Sequence, residues 1–180
     1  LVDIPGELPG LVDVCRAGSD LVVRHGTNGL PQGLVLLAQI ELLEVLTEIQ
    51  HNGADRVVVL TGAAGDFCSG ADLVAMGDGK GRAHSHSYYS MREVTGVVMA
   101  LARLPQPTIA KVRGVAVGVG CNIAFGCDLV VASETARFSQ IFSKRGMSLD
   151  GGGSWLLPRR VGLHRAKELA FFADIISAAE

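Results

Sequence analysis

The stretch Arg56-Val57-Val58-Val59-Leu60-Thr61-Gly62 decides the fold. An unbroken β-branched run with no polar alternation is the pattern of a strand covered on both faces. Gly62 then opens a Gly-rich loop running to Asp72. Upstream, Leu36, Leu37, Ile40, Leu43, Val45, Leu46 and Ile49 recur at helical spacing between Gly33 and Gln50, and Asn52-Gly53 closes that helix. Downstream, the polar segment 77–89 reads as a loop and is followed by a second amphipathic helix, Ser90 to Arg103, ended by Leu104-Pro105-Gln106-Pro107. A short strand, Thr108 to Val112, leads through a Gly-studded turn into a helix near Gly120 to Phe125. Leu129 to Ala132 and Ala136 to Ser139 read as further strands, and Leu163 to Ala173 as a last helix. Leu21-Val22-Val23 reads as an edge strand in a segment otherwise punctuated by Pro5, Gly6, Pro9 and Gly10. Strand, loop, helix in repetition is the order of an α/β fold with a parallel sheet.

Composition narrows the class. A length of 180 residues suggests one domain, 1–180, and 48% apolar residues with a formal charge of −2 suit a globular chain. No Lys/Arg stripe with interleaved aromatics points to nucleic acid. The first twenty residues lack the basic-then-apolar order of a signal peptide, and no apolar run reaches the ~20 residues of a membrane span. Cys15, Cys68, Cys121 and Cys127 form no CxxC pair, so neither a zinc site nor a disulfide framework is indicated. Reduced, buried thiols fit a soluble, cytoplasmic protein. The 23 glycines, by contrast, ask for close approaches of backbone to backbone or to a ligand.

Two Gly-rich loops, Gly62–Asp72 and Gly114–Cys121, both follow strands. Ligands in α/β folds sit beyond the carboxyl ends of strands, so these loops are expected to meet at one site. A loop entering a helix offers free N–H groups and the positive end of the helix dipole. Two such loops could hold one carbonyl oxygen between two donors, as an oxyanion hole does. Two ordinary strand-to-helix turns would carry the same glycines.

The residues in the loops add a resemblance. Arg56 to Gly62, followed by Phe67-Cys68-Ser69-Gly70-Ala71-Asp72-Leu73, resembles the first signature of the crotonase (enoyl-CoA hydratase/isomerase) superfamily. Pro107 to Cys121 resembles the second, and Cys127 to Ser133, Ala136-Arg137-Phe138, Gly152 to Gly162 and Ala166 to Leu169 continue it in order. The resemblance implies a crotonase-like spiral of repeated β-β-α units around a parallel sheet core. It implies an acyl-CoA thioester as substrate, with coenzyme A part of that substrate and no separate cofactor. It also implies a homotrimer or hexamer, and C-terminal helices that cover the site and pack between subunits. No counterpart of those helices is found up to Glu180, so apolar surface is expected on the sheet and the last helix. The family's opening hairpin is matched only loosely by Val22 to Pro31.

By position, the resemblance makes the N–H groups of Ala71 and Val119 the two oxyanion donors. Val119 stands where the family often has Gly or Ala, so its branched side chain narrows the pocket. Cys68, Ser69, Gly70 and Ala71 would line the groove for coenzyme A. Asp72 could serve the chemistry or cap the following helix start.

Which reaction follows depends on the acids. The two glutamates with which hydratases of the family activate water and protonate carbon fall here on Asn122 and Phe142. Asn122 can orient a water or substrate group but takes no proton at neutral pH, and Phe142 can do neither. Asp150, in Gly146-Met147-Ser148-Leu149-Asp150-Gly151-Gly152-Gly153, falls where several isomerase-type members carry a catalytic acid. One carboxylate in an apolar wall, its pKa raised by desolvation, suits a proton shuttle that moves a double bond. Asp is also common in turns before glycine. Three readings follow: an isomerase-type enzyme, a non-catalytic acyl-CoA-binding protein, and a weak hydratase. His84 and His86 make no metal site without further ligands, and Gly77 to Gly81 lacks P-loop spacing. Ser69 and Ser154 find no triad partners, and Lys144 and Arg145 read as solvated surface. Gly118-Val119-Gly120 lacks the third glycine of a dinucleotide site, at Ile123.

Overall fold

The computed structural model describes residues 11–13, 34–53, 55–62, 66–70 and 87–180. The expectations for Cys15, Leu21–Val23, Ala71, Asp72, residues 77–81, His84 and His86 lie outside those residues. Strand β1 (Leu11–Asp13) precedes helix α1 (Leu34–His51), and β2 (Val57–Thr61) follows it. Helix α2 (Ser87–Arg103) leads to β3 (Thr108–Val112), β4 (Val115–Val117), α3 (Val119–Gly126), β5 (Leu129–Ala132) and β6 (Arg137–Ser139). A 3-10 turn, Ile141–Arg145, precedes α4 (Gly153–Val161), α5 (Leu163–Phe172) and β7 (Ile176–Ser177).

Two sheets carry the fold among the described residues. The first runs β1-β2-β3-β5, every neighbouring pair parallel, with Val58 opposite Thr108 and Ala110 opposite Val130. The second runs β4-β6-β7, with β4 parallel to β6 and β7 antiparallel to it. Helices plus a parallel sheet core are the expected crotonase-like architecture. The second sheet was not legible as such. Its β4 is three residues between glycines 114 and 118, and β7 is two residues, each too short to show a period of its own.

The β-branched run behaves as read: Val58, Val59 and Leu60 are all buried. Helix α1 buries Leu42, Leu46 and Ile49, and α2 buries Val94, Val97, Val98 and Leu101, both at i, i+4, i+7 spacing. The stripes face each other, and an added Cβ on Gly96 would stand at ordinary contact distance, 3.7 Å, from Leu43 Cδ2. Side chains at such positions each contribute about 1.5–3 kcal/mol through loss of contact with water.

Strand starts are tied as well. Asp128 Oδ2 accepts bonds from the Thr108 N–H (2.8 Å) and hydroxyl (2.9 Å), while the Thr108 hydroxyl accepts the Asp128 N–H at 2.8 Å. This pins β3 to β5 at one end and sets their register. Arg160 on α4 donates to the carbonyls of Phe125 and Cys127 at the end of α3, so α4 is anchored beside the site helix.

Helix α4 had no periodic signal, because it starts in a glycine run and contains Pro158. Leu157 packs on Ala166 and Leu169 to close the α4–α5 hairpin around Gly162. Apolar side chains stand exposed where expected, with Leu129, Val130 and Val131 on β5, and Phe171 and Phe172 at the end of α5.

Candidate active site

The two Gly-rich loops are bonded to each other. Asp66 Oδ1 accepts the Val115 N–H at 3.0 Å, and the N–H groups of Phe67 and Cys68 both donate to the Val115 carbonyl. The Val117 N–H returns a bond of 2.9 Å to the Cys68 carbonyl, so Cys68 and Ala116 pair as a short parallel bridge. Convergence requires the glycines. Gly70 has φ 94, and a Cβ there would lie 2.9 Å from the Val117 carbonyl oxygen. A Cβ on Gly120 would lie 2.6 Å from the Cys68 Cβ and 2.8 Å from its sulfur. Only hydrogen fits at either place.

Beyond this seam, α3 begins. Gly118, at φ 58 and ψ −122, turns the chain from β4 into the helix, and its N–H donates to Ser139 on β6 at 2.9 Å. Asn122 N–H bonds back to the Gly118 carbonyl, which makes Val119 the first residue of the helix. A first-turn N–H has no carbonyl partner inside its own helix. Val119, as the first residue of the helix, therefore has no intrahelical partner for its N–H, and it stands two residues after Val117, whose carbonyl oxygen faces Gly70. The wall behind Gly118 is apolar: a Cβ there would be 3.5 Å from Ile141 and 3.6 Å from the ring of Phe142, both on the 3-10 turn.

Asp150 closes the arrangement. Its loop runs from Gly146, left-handed at φ 67, to Gly151 and Gly152, both at positive φ. A Cβ on Gly151 would meet Val119 Cγ2 at 3.2 Å and Val94 Cγ1 at 3.5 Å, so this loop lies directly on the first residue of α3. The Asp150 side chain is half-buried, and its Oδ1 is shielded from water with no hydrogen-bond partner among the described residues. Desolvation pushes its carboxyl above the ordinary aspartate range, against a smaller opposing effect of its own backbone N–H.

Asn122 differs from its expected role. It is fully buried, its Nδ2 donates to the Asp150 main-chain oxygen at 2.8 Å, and its Oδ1 accepts from Gln140 Nε2 at 2.9 Å. With both ends of the amide engaged and no exposed surface, it presents nothing to a water or a substrate in this conformation. Phe142 is buried as well, while Ser69 lies exposed beside buried Cys68 and Gly70. Burial raises the Cys68 thiol pKa, with a smaller lowering by a backbone bond from Gly70. Ser154, Lys144 and Arg145 are exposed, and Lys144 lies 3.7 Å from Asp174. Gln140, which the motifs did not single out, is the residue sequence reading missed. A lone glutamine in Phe138-Ser139-Gln140-Ile141 carries no pattern. Among the described residues no three His, Cys, Asp or Glu side chains cluster as metal ligands, and no helix is long and apolar enough to cross a membrane.

Comparison with known proteins bears on the family and the fold. The family model described as "Enoyl-CoA hydratase/isomerase" matches residues 27–180. A probable enoyl-CoA hydratase of Rhodobacter capsulatus is 41% identical over 137 residues, 75% of this chain and 52% of that protein. The 1,2-epoxyphenylacetyl-CoA isomerase of Escherichia coli is 40% identical over 141 residues, 78% of this chain and 54% of that protein. The crystal structure of an enoyl-CoA hydratase from Bacillus anthracis superposes with a TM-score of 0.77 at 30% identity, covering 96% of this chain and 62% of that one. The chain thus spans about half the length of these curated relatives.

Proposed function

The chain belongs to the enoyl-CoA hydratase/isomerase family, and from that premise we propose that it moves a carbon–carbon double bond in an unsaturated acyl-CoA, with Asp150 as the single proton shuttle. The observation that carries this reading is the buried Asp150 Oδ1, without a hydrogen-bond partner among the described residues, on a loop packed against Val119, where an oxyanion donor is expected. A carboxylate oxygen held out of water with no partner is poised to take a proton.

In a 3-enoyl thioester the carboxylate removes the proton from the carbon next to the carbonyl. The C–H electrons pass into a dienolate whose negative charge rests on the thioester oxygen. The N–H groups of Val119 and Ala71 stabilise that oxygen. The same carboxyl then delivers its proton to the far carbon of the diene, giving the conjugated 2-enoyl thioester and regenerating the carboxylate. Every atom is conserved and no water is consumed.

Two-carboxylate hydration finds no support, because Asn122 is engaged elsewhere and Phe142 is a hydrocarbon. Those two residues equally favour a protein that holds an acyl-CoA without turning it over. One experiment separates the readings: the whole protein, with and without Asp150→Ala, is given a 3-enoyl-CoA and a 2-enoyl-CoA. Isomerisation that drops by about 10²-fold or more in the variant, with acyl-CoA affinity retained, supports the shuttle. Tight binding with no turnover of either substrate by the parent protein sinks it in favour of a carrier.

A further inference from the structure

The loop that carries Asp150 is poor in conformational restraint of its own. Gly146, Gly151 and Gly152 all sit at positive φ, and Gly153 follows. Glycine loses more backbone freedom on ordering than any other residue, so something outside the loop has to hold the carboxylate still. The anchors visible at Asp150 converge on one atom. Its main-chain oxygen accepts the Gly153 N–H at 2.8 Å from within the loop and Asn122 Nδ2 at 2.8 Å from helix α3.

The direction of this contact is dictated by chemistry. A carbonyl oxygen only accepts, so the Asn122 atom facing it must be the amide NH₂. The Asn122 oxygen therefore faces Gln140, whose NH₂ must be the group that meets it. Gln140, itself buried, follows directly on β6 and so ties the amide to the second sheet. Gly153 completes the fit: a Cβ there would lie 2.5 Å from Asn122 Nδ2 and 2.8 Å from Oδ1, so the amide and the missing side chain require each other. An acid at position 122 would turn an oxygen toward the Asp150 carbonyl oxygen, replacing attraction by repulsion.

We propose that Asn122 is a positioning residue for Asp150, an amide clamp, backed by Gln140 and admitted by Gly153, that fixes the base-bearing loop against the start of α3. The proposal rests on the reading of Asp150 as the base. In this role Asn122 neither contacts the substrate nor transfers a proton. It acts only through where it holds the Asp150 main chain.

The test compares Asn122→Asp, Gly153→Ala and Asp150→Asn in the full chain, with 3-hexenoyl-CoA as substrate and saturated hexanoyl-CoA as a non-reacting ligand. Asn122→Asp keeps the side-chain volume and removes the donor. Gly153→Ala leaves Asn122 in place and displaces its amide, and at the first position of α4 alanine is otherwise favourable. Thus Gly153→Ala carries the test should Asn122→Asp fail to fold. For both, kcat is expected to fall about tenfold to a hundredfold, the cost of an ångström-scale misplacement of a catalytic group. KM and hexanoyl-CoA affinity should hold. A residue serving stability alone would lower the melting temperature and leave kcat per folded molecule unchanged. Parental kcat in folded Gly153→Ala and Asn122→Asp, with Asp150→Asn inactive, overturns the clamp and leaves the base assignment standing. Full turnover by Asp150→Asn removes the base assignment, and the clamp with it.

Discussion

Gly120 sits so close to Cys68 that a Cβ on it would lie 2.6 Å from the Cys68 Cβ, inside any distance real side chains tolerate. This contact joins the loop after β2 to the start of α3, and the site exists because the two can touch. Gly120→Ala should therefore destabilise the chain by about 1–3 kcal/mol, the usual cost of overpacking a filled interior. Gly53, where an added Cβ would meet nothing within 4 Å, is the control. Gly53→Ala should leave stability unchanged or raise it by up to about 1 kcal/mol through the unfolded chain. Urea denaturation of both variants checks the pair, and equal midpoints would refute the close-approach argument.

Asp150 links stability to pH and, on the proposed mechanism, activity to pH. Burial holds its carboxyl above the ordinary value of 3.8, so the folded chain binds that proton more tightly than the unfolded chain does. Between 3.8 and the raised folded value the native state carries more protons, and stability falls as pH rises through that window. Asp150→Asn removes the buried charge. It should gain stability over the parent at neutral pH and show no such gain well below pH 3.8, as followed by thermal melts across pH. On the proposed mechanism the parent's isomerisation should also lose rate on the acid side at a pH above the normal aspartate range, because only the carboxylate takes a proton.

Thr108 and Asp128 share three hydrogen bonds at one end of β3 and β5. Thr108→Val keeps the shape of a buried side chain while stranding the Asp128 N–H. A loss of about 1–3 kcal/mol is expected. Hydrogen exchange should quicken first in β5, an edge strand of its sheet among the described residues. A variant as stable as the parent would mean that solvent replaces the lost partner.

The three thiols among the described residues, Cys68, Cys121 and Cys127, should be inert in the native state. Burial pushes Cys121 and Cys127 up to about 12 and raises Cys68 as well. At neutral pH essentially no thiolate is present at these positions. Mass spectrometry after iodoacetamide treatment should find all three unmodified until denaturant is added, and rapid labelling of Cys121 in the folded protein would contradict its burial.

Much of this was written in local pattern. The run Val57 to Leu60 announced a covered strand, and the α1 and α2 stripes announced the core, because period and β-branching are properties of neighbouring residues. The signatures around Cys68-Ser69-Gly70 and Gly118-Val119-Gly120 likewise marked the two loops: Gly70 and Gly118 are demanded by their own positive φ, while Gly120 answers to its close approach to Cys68. Asp150, the base of the proposed mechanism, was named from the same reading.

What the linear chain did not carry is who holds whom. Strands β4 and β7 are too short to have a period and form only because β6 lies between them. Helix α4 forms in a Gly- and Pro-containing stretch because Leu157 and Arg160 find partners on α5 and at the end of α3. Asn122 looked like a water-orienting group by position. Only the packing of α3 against the 150s loop, with Gln140 behind it, commits its amide to the main chain of Asp150. Local sequence determined the strand, the helices and the loops that converge. Tertiary structure alone decided which polar atoms are left free, because a hydrogen bond between residues 28 apart depends on every element folded between them.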